Sequence, residues 1–297
     1  MVDPSKILII GIDSFTGGHL RVFFGERGYQ VFGTSIHNTD TKNTFKVNIL
    51  NSTEIHDVLV KVMPDYIINL AAISFVGEPK TELFYNINVL GTEILLETIY
   101  QSGAQIKKIL IPSSAVVYGT QESHILTEDM CPNPQNHYGY SKYISEQICK
   151  SYFDKLPIVV TRPFNYTGIG QGQEFLIPKV VNAFKEKQKE IELGNLYTFR
   201  EYNDIRFICN TYHSLLGSSN NSEIINVCTG QSHSIDEIIE ILNTIAGYEI
   251  VVSVNQHFVR KNEIVELKGD TKKLVNAIGD LNLEHSLQDT LQFMYLN

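Results

Sequence analysis

Residues 7–20 read Ile-Leu-Ile-Ile-Gly11-Ile-Asp-Ser14-Phe-Thr-Gly17-Gly18-His-Leu, which predicts a buried strand, a glycine turn and the start of a helix. Gly11 permits a tight turn, and the small residues let the backbone approach a pyrophosphate at the unpaired N–H groups of the helix N-terminus. Ser14 stands where this motif has a glycine, so the serine backbone must stay in an allowed region. The stretch favours a dinucleotide-binding turn, with a plain strand, turn and helix as the alternative.

Further along the chain, short apolar runs alternate with helical patterns, as they do in a parallel sheet that is buried on both faces. The predicted strands are 7–11, 30–34, 45–48, 66–70, 108–112 and 158–162. The predicted helices between them include 17–27, 53–62, 81–102 and 138–155. Because helices join parallel strands by right-handed crossovers, the predicted fold class is α/β, with a Rossmann-type doubly wound parallel sheet.

The alternation breaks after Arg162, where residues 165–174 are rich in glycine and polar side chains. We expect this segment to begin a smaller α/β domain that binds a substrate. Helix 205–216 and strand 223–227 are expected to return to the sheet. The predicted organisation is therefore a dinucleotide-binding domain of residues 1–163 and 204–231 and a substrate-binding domain of residues 164–203 and 232–297.

Composition limits the classes of partner. The 297 residues carry a formal net charge of −9, which leaves no basic stripe for a nucleic-acid backbone. The four cysteines show no Cys-x-x-Cys spacing, so neither a zinc site nor a disulfide scaffold is expected. The sequence contains no signal-peptide pattern and no run of about 18 apolar residues that could cross a membrane. We expect a cytoplasmic protein without a metal, membrane or nucleic-acid partner.

The segment Tyr138-Gly-Tyr140-Ser-Lys142 opens a predicted helix, and Ser113-Ser114 ends the strand before it. Positions i and i+4 share a helix face, so Tyr138 and Lys142 reach one ligand while Tyr140 points elsewhere. A phenol has an ordinary pKa of about 10, and a neighbouring ammonium lowers that pKa by favouring the phenolate. The Ser114 hydroxyl can hydrogen-bond a reacting carbonyl. These three residues are the predicted catalytic set, although a lone Tyr-x-x-x-Lys is usually a solvated helix face.

The end of the second strand bears on the choice of dinucleotide. A carboxylate about 20 residues after the glycine turn would bind the adenosine ribose hydroxyls of NAD. Here the strand ends Gly33-Thr-Ser35-Ile-His37-Asn38, and Asp40 comes too late. No negative charge on the strand would repel a 2′-phosphate, and His37 or Ser35 could donate to it. The sequence therefore favours NADP(H) over NAD(H).

Several further motifs follow one another in a fixed order. They are Asn69-Leu-Ala71-Ala72, Asn88-Val-Leu-Gly91-Thr92, Ser113-Ser114-Ala-Val-Val-Tyr-Gly, Tyr138-Gly-Tyr-Ser-Lys142, Arg162-Pro-Phe-Asn165-Tyr-Thr167-Gly and Arg200-Glu-Tyr-Asn-Asp204. This set resembles the extended short-chain dehydrogenases/reductases of the NAD-dependent epimerase/dehydratase family, above all the GDP-4-dehydro-6-deoxy-D-mannose reductases and related nucleotide-deoxysugar 4-reductases. The resemblance spans nearly the whole chain and implies a nucleotide-diphosphate sugar as substrate.

The resemblance also implies ligand-binding positions. Besides Tyr138 and Lys142, the cofactor-binding residues would be Gly11, Ser14, Phe15, Thr16, Gly17, Ser35, His37, Asn48, Ile49, Leu70, Ala71, Ala72, Asn88, Pro163 and Phe164. The substrate-binding residues would be Ser74, Asn165, Thr167, Ile177, Lys179, Asn195, Arg200, Arg260 and Glu263. For Asn88, a buried hydrogen bond between helices is the competing interpretation. A homodimer is implied as well, through a four-helix contact of helices 81–102 and 138–155.

Ala115 and Val116 decide among the reactions that the resemblance allows. Dehydratases of this kind carry an Asp-Glu or Ser-Glu pair at these positions, and epimerase-reductases carry a cysteine directly after the serine. Simple hydride chemistry at C4 remains, and the Arg162-Pro-Phe-Asn165-Tyr-Thr167-Gly stretch and the short chain favour NAD(P)H-dependent reduction of the 4-keto group of a nucleotide-linked 4-keto-6-deoxyhexose. A nucleotide-sugar 4-epimerase is the alternative enzyme, and a non-catalytic NADP-binding sensor or scaffold is the alternative of another class. Phe207, where relatives carry aspartate, departs from the pattern.

Overall fold

The computed structural model describes residues 4–37, 41–255 and 265–297. The strands in these ranges are β1 (Lys6–Ile10), β2 (Gln30–Ser35), β3 (Thr44–Lys46), β4 (Tyr66–Asn69), β5 (Lys108–Pro112), β6 (Ile125–Leu126), β7 (Ile158–Pro163), β8 (Tyr166–Thr167), β9 (Glu190–Leu193), β10 (Phe199–Arg200), β11 (Asn203–Asp204), β12 (Glu223–Val227), β13 (His233–Ser234), β14 (Val251–Val254) and β15 (Glu266–Gly269). The helices are α1 (Phe15–Glu26), α2 (Ser52–Val62), α3 (Thr81–Leu83), α4 (Gly91–Ser102), α5 (His137–Lys150), α6 (Leu176–Lys185), α7 (Ile205–Gly217), α8 (Ile235–Ala246), α9 (Lys272–Ile278) and α10 (Leu287–Leu296). A π-helix (Phe84–Leu90) lies between α3 and α4, and a 3-10 helix (Ala115–Tyr118) follows β5.

Seven strands form the main sheet of the described chain, in the order β12-β7-β5-β4-β1-β2-β3. Every neighbouring pair in this sheet is parallel. The predicted α/β fold class, with a Rossmann-type doubly wound sheet, is confirmed. The strand order changes direction between β1 and β4, and the carboxyl ends of such strands border the crevice in which these folds bind their ligands.

The side chains of β1 explain why the sheet is covered on both faces. Ile7 and Ile9 belong to an apolar core with side chains of α1 and α7, whereas Leu8 and Ile10 belong to a core with side chains of α2 and α4. Successive side chains of a strand point to opposite faces, so a continuous apolar run fills both layers. Each such side chain stabilises the fold by about 1.5–3 kcal/mol when fully buried.

Three of the predicted elements whose bounds differ in the structure have a local explanation. The helix predicted at 138–155 is α5 and ends at Lys150, after which Tyr152 and Phe153 donate their N–H groups to carbonyl groups three residues earlier. The helix changes there to tighter turns of the 3-10 type because Tyr152 packs into the core. The helix predicted at 81–102 is interrupted by the π-helix. The strand predicted at 45–48 ends at Lys46, since the Asn48 side chain accepts from the Leu50 N–H in a turn.

A third apolar core lies among α6, α8, α10, β9 and β14, with Phe184, Leu193, Ile238 and Leu291 among its members. Strand β12 pairs with β7 in the main sheet, so the prediction that residues 223–227 return to this sheet is confirmed. The division into two domains stays a prediction. Among the described helices, none combines the length and the apolar character that crossing a bilayer requires.

Candidate active site

The glycine turn joins β1 to α1 at the carboxyl end of the sheet. Gly11 has a φ of +78°, and a Cβ added there would lie 2.9 Å from the backbone N of Ala71. Ser14 has the allowed angles φ −68° and ψ 163°. Its hydroxyl donates to the Gly11 carbonyl at 2.8 Å and accepts from the Gly17 N–H at 3.2 Å, so this serine caps α1. The turn is therefore compatible with a serine, and the N-terminus of α1 that follows it is the type of site that binds a pyrophosphate.

Replacing Gly11 with alanine is expected to lower the free energy of unfolding by about 1–3 kcal/mol, because the positive φ strains an L residue and the new Cβ meets Ala71. Gly28 is the matched control, since its φ is +80° but no atom lies within 4 Å of an added Cβ. Gly28→Ala therefore introduces the backbone strain alone. Denaturant unfolding of both variants separates the two effects. An equal loss in both would contradict the importance of the close approach to Ala71.

The structure brings Ser114, Tyr138 and Lys142 together where β5 and α5 meet. Ser114 begins the 3-10 helix, and its hydroxyl accepts from the Val116 N–H at 3.2 Å. The same side chain lies beside the side chain of Tyr138 and interacts with it. Lys142 lies one helical turn after Tyr138, and its Nζ donates to the carbonyl oxygen of Pro112 at 2.7 Å. The arrangement places a hydroxyl, a phenol and an ammonium within reach of one ligand.

The protonation behaviour of this site differs from the expectation that Lys142 lowers the pKa of Tyr138. Burial raises the pKa of Tyr138 to about 12, and the hydrogen bond with Ser114 opposes that rise. Burial also lowers the pKa of Lys142 to about 8, and Cys149 and Glu146 oppose that fall. Desolvation disfavours the charged form of both groups, and it is the largest cause of each shift.

The lowered pKa of Lys142 predicts a rise in stability with pH. The folded state releases this proton near pH 8, whereas the unfolded state keeps it up to about pH 10.5. The unfolded state therefore binds more protons in this window, so the free energy of unfolding rises with pH, by on the order of 1 kcal/mol between pH 8 and 9. Urea unfolding of the wild type and of Lys142→Met measures the difference. Parallel pH curves for the two proteins would contradict the lowered pKa.

A buried ion pair lies behind the site. Glu146, one turn after Lys142, accepts from Arg162 Nε at 2.9 Å and from Nη2 at 2.7 Å. Arg162, on β7, is 2% exposed, and its guanidinium lies 4.7 Å from the ring centroid of Tyr118. The Tyr118 hydroxyl in turn donates to Asn226 Oδ1 at 2.6 Å. The ion pair joins α5 to the sheet and so fixes the position of Lys142 relative to the sheet.

Asn88, in the π-helix, holds the loop after β4 against α5. Its amide oxygen accepts from the Ile73 N–H at 2.8 Å, and its amide nitrogen donates to the Ile73 carbonyl at 3.0 Å. The same nitrogen donates to Ser141 Oγ at 2.9 Å. These bonds match the competing interpretation of a buried structural amide. Any effect of Asn88 on a cofactor would therefore act through the position of this loop.

The other predicted cofactor-binding positions follow the carboxyl ends of strands. Phe15 stacks on Tyr166 with ring centroids 6.2 Å apart, and the Thr16 hydroxyl lies 2.9 Å from the Tyr166 hydroxyl. The positions at and after the strand ends differ in exposure. Buried are Ser35, Ile49, Pro163 and Phe164, and half-buried are Leu70, Ala71 and Ala72. His37 and Asn48 are exposed. Tyr166 itself was missed by the sequence analysis, because its contact with α1 joins residues 150 positions apart.

The predicted substrate-binding positions differ in accessibility. Ser74, Asn165 and Lys179 are exposed, and Asn195 and Arg200 are half-buried. Arg260 and Glu263 lie outside the described residues, as does Asp40.

Two predicted substrate contacts are engaged within the protein. The Thr167 hydroxyl donates to Gln171 Oε1 at 2.7 Å, and this residue is 1% exposed. The Ile177 side chain belongs to the core of α6, α8 and α10. The structure therefore does not bring these two side chains to the crevice. Among the described residues, no group of three or more His, Cys, Asp and Glu side chains could hold a metal ion.

Asp13 is a further residue that the sequence analysis missed. Its carboxylate accepts a hydrogen bond from Ser35 Oγ at 2.6 Å, so a charged group of the glycine turn lies at the end of β2. The usual position of such a carboxylate is on β2 itself. The signal available in the sequence was the acidic residue inside the glycine turn.

Comparison with known proteins gives concordant matches. A model of the GDP-mannose 4,6 dehydratase family matches residues 8–279. A GDP-6-deoxy-D-talose 4-dehydrogenase of Aggregatibacter actinomycetemcomitans is 36% identical over 293 residues, which cover 98% of this chain and 97% of that protein. A GDP-6-deoxy-D-mannose reductase of Pseudomonas aeruginosa is 26% identical over 302 residues, with 96% of each chain covered.

The solved structures agree with these matches. The structure of RMD from Pseudomonas aeruginosa complexed with NADPH superimposes with a TM-score of 0.87 at 25% identity, over 99% of this chain and 97% of that one. The family match covers most of the chain, including the glycine turn, Ser114, Tyr138 and Lys142. The chain therefore belongs to the GDP-mannose 4,6 dehydratase family of extended short-chain dehydrogenases/reductases, as its motifs predicted.

Proposed function

We propose that the protein uses NAD(P)H to reduce the 4-keto group of a nucleotide-linked 4-keto-6-deoxyhexose. The observation that carries this proposal is the position of the Ser114 hydroxyl beside Tyr138, with Lys142 one turn further along α5. Two adjacent hydroxyl groups can hold and protonate a single carbonyl oxygen. The similarity to a GDP-6-deoxy-D-talose 4-dehydrogenase and a GDP-6-deoxy-D-mannose reductase supports this class of reaction and favours a GDP-linked sugar.

Each catalytic side chain has a separate task in this reaction. A reduced nicotinamide dinucleotide held at the glycine turn would supply the hydride for C4 of the sugar, which would leave the electron pair of the carbonyl bond on the carbonyl oxygen. The Ser114 hydroxyl donates to that oxygen and stabilises the alkoxide. Tyr138 gives its proton to the alkoxide, which becomes the 4-hydroxyl group, and the phenolate regains a proton from water. Lys142 stabilises the phenolate by its positive charge.

The substrate would lie beyond the carboxyl ends of β1 and β4. We assign its diphosphate and sugar to the exposed and half-buried positions Ser74, Asn165, Lys179, Asn195 and Arg200, together with Arg260 and Glu263. The side chains of lysine and arginine bind phosphate oxygens, and one guanidinium group can bind two of these oxygens at once. The preference for NADP(H) stays a prediction, which rests on the absence of a carboxylate on β2. The cytoplasmic location also stays a prediction.

Absorbance at the reduced-nicotinamide band tests the proposal with a panel of nucleotide-linked 4-keto-6-deoxysugars, GDP-linked ones first. We expect one equivalent of cofactor to be oxidised for each sugar reduced. A 4-epimerase would instead return its cofactor unchanged and purify with it bound. The absence of oxidation with every sugar would overturn the proposal, and it would favour the non-catalytic NADP-binding sensor or scaffold.

A homodimer is part of the proposal. Leu90 of the π-helix, Tyr100 of α4 and Ile144 of α5 expose large apolar side chains on neighbouring helices, which supports a four-helix contact between two copies. Light scattering after size exclusion is expected to give twice the mass of one chain. Ile144→Asp should shift that mass toward the monomer, because a charge would be buried in the contact. A monomeric wild-type protein would refute the dimer.

A further inference from the structure

The glycine turn is bonded directly to the end of β2. The N–H groups of Gly11 and Ile12 both donate to the Thr34 carbonyl oxygen, at 3.1 and 3.0 Å. The Gly11 N–H lies 3.3 Å from Thr34 Oγ1 as well. These contacts place residue 13 of the turn beside residue 35, the last residue of β2. Two segments that are 22 residues apart therefore share one surface at the carboxyl end of the sheet.

A carboxylate occupies this surface. Ser35 Oγ donates to Asp13 Oδ2 at 2.6 Å and accepts from the His37 N–H at 3.0 Å. Ser35 is 2% exposed, whereas Asp13 is exposed. Within residues 4–37, 41–255 and 265–297, no lysine or arginine forms an ion pair with Asp13. A buried hydroxyl thus holds a carboxylate whose charge is not neutralised by these residues and which is accessible to a ligand.

We infer that Asp13, positioned by Ser35, selects NAD(H) over NADP(H). A carboxylate at the end of the second strand accepts hydrogen bonds from the adenosine ribose hydroxyls and repels a 2′-phosphate. Asp13 supplies such a carboxylate from the glycine turn instead of from β2. The inference rests on the proposed function only in requiring a dinucleotide at this turn. It reverses the preference for NADP(H) expected from the sequence.

Two nearby side chains act in the opposite sense. Lys46 is paired in register with Ser35 between β3 and β2, and its side chain is exposed. His37 is exposed two residues after Ser35. An exposed ammonium on a flexible stem contributes little to an ion pair in water, because salt screens it and ordering the side chain costs entropy. Asp13 is fixed by a buried donor, so its repulsion of a 2′-phosphate is expected to dominate.

Isothermal titration calorimetry with NADH and NADPH, in the absence of any sugar, tests the inference. We expect the wild-type protein to bind NADH at least about tenfold more tightly than NADPH, since a like charge opposes the 2′-phosphate. Asp13→Asn keeps the size and one acceptor oxygen but removes the charge, and it should reduce this ratio about tenfold, mainly by tightening NADPH. Asp57→Asn is the control for net charge, because Asp57 is an exposed carboxylate on α2. It should leave the ratio unchanged.

The same titrations with 5′-AMP and 2′,5′-ADP isolate the contribution of the 2′-phosphate. A wild-type preference for NADPH would overturn the inference, and so would an Asp13→Asn ratio equal to that of Asp57→Asn. Selective loss of NADPH affinity in Lys46→Gln, without an effect of Asp13→Asn, would assign the choice to Lys46 and also overturn it. If the protein binds neither NADH nor NADPH, both the inference and the proposed function are overturned. Selective binding of NADH without reduction of any sugar would overturn the proposed function alone.

Discussion

Replacing Tyr138 with phenylalanine is expected to lower kcat for reduction of the 4-keto sugar by about 10²–10⁴-fold, the usual contribution of a positioned general acid. Phenylalanine has no proton to deliver to the alkoxide, and it lacks the hydroxyl that lies beside Ser114. The ring itself should keep its place, because it packs beside Phe84 with centroids 6.2 Å apart. Steady-state absorbance of the reduced cofactor measures the loss of turnover. Calorimetry with the same cofactor should give nearly unchanged binding.

Tyr140→Phe is the matched control for this variant. It removes the same hydroxyl group two residues later on α5, where the side chain is exposed. We expect wild-type kcat from this control. Wild-type turnover in Tyr138→Phe, or an equal loss in both variants, would show that Tyr138 is not the proton donor.

Replacing Arg162 with methionine is expected to lower the free energy of unfolding by about 3–5 kcal/mol, because the change leaves Glu146 as an uncompensated buried charge. The Glu146 side chain is 0% exposed and accepts two hydrogen bonds from the Arg162 guanidinium. Urea unfolding at neutral pH measures this difference. The combined variant with Glu146→Leu and Arg162→Met should recover much of the loss, since an apolar pair of similar volume avoids the desolvation of both charges.

Lys272→Met is the matched control on the surface. Lys272 lies 3.4 Å from Asp270, but its side chain is 87% exposed. Exposed pairs contribute only about 0–1 kcal/mol, so the control should unfold almost like the wild type. Equal losses in Arg162→Met and Lys272→Met would mean that the buried pair adds no more than a surface pair.

Local patterns made the fold predictable. The strand, turn and helix around Gly11 occupy neighbouring residues, and alternate side chains of β1 fill two separate cores. Tyr138 and Lys142 were predictable for the same reason, since i and i+4 positions on a helix lie on one face. Their pKa values were not predictable, because the largest cause of both shifts is burial, which depends on the layers that cover these residues.

Contacts between distant segments were the part that the sequence did not predict. Asp13 meets Ser35 only because two backbone bonds draw the glycine turn onto β2. Glu146 meets Arg162 only because α5 crosses β7. The resemblance to a family transfers positions but not surroundings, so it could not indicate that Thr167 already bonds Gln171. The end of α5 at Lys150 likewise depends on tertiary packing, which overrides a continuing helical pattern.

The late pairing of β12 with β7 has a consequence for synthesis of the protein on the ribosome. A nascent chain that has completed β7 must extend through residue 227 before this neighbour can bond to it. Until then, the outer edge of β7 presents unpaired N–H and C=O groups, and such edges recruit strands from other chains. The apolar side chains on the face of the sheet that α7 covers also stay exposed until residues 205–217 have been synthesised. Products that stop short of β12 are therefore expected to aggregate, even though they contain Ser114, Tyr138 and Lys142.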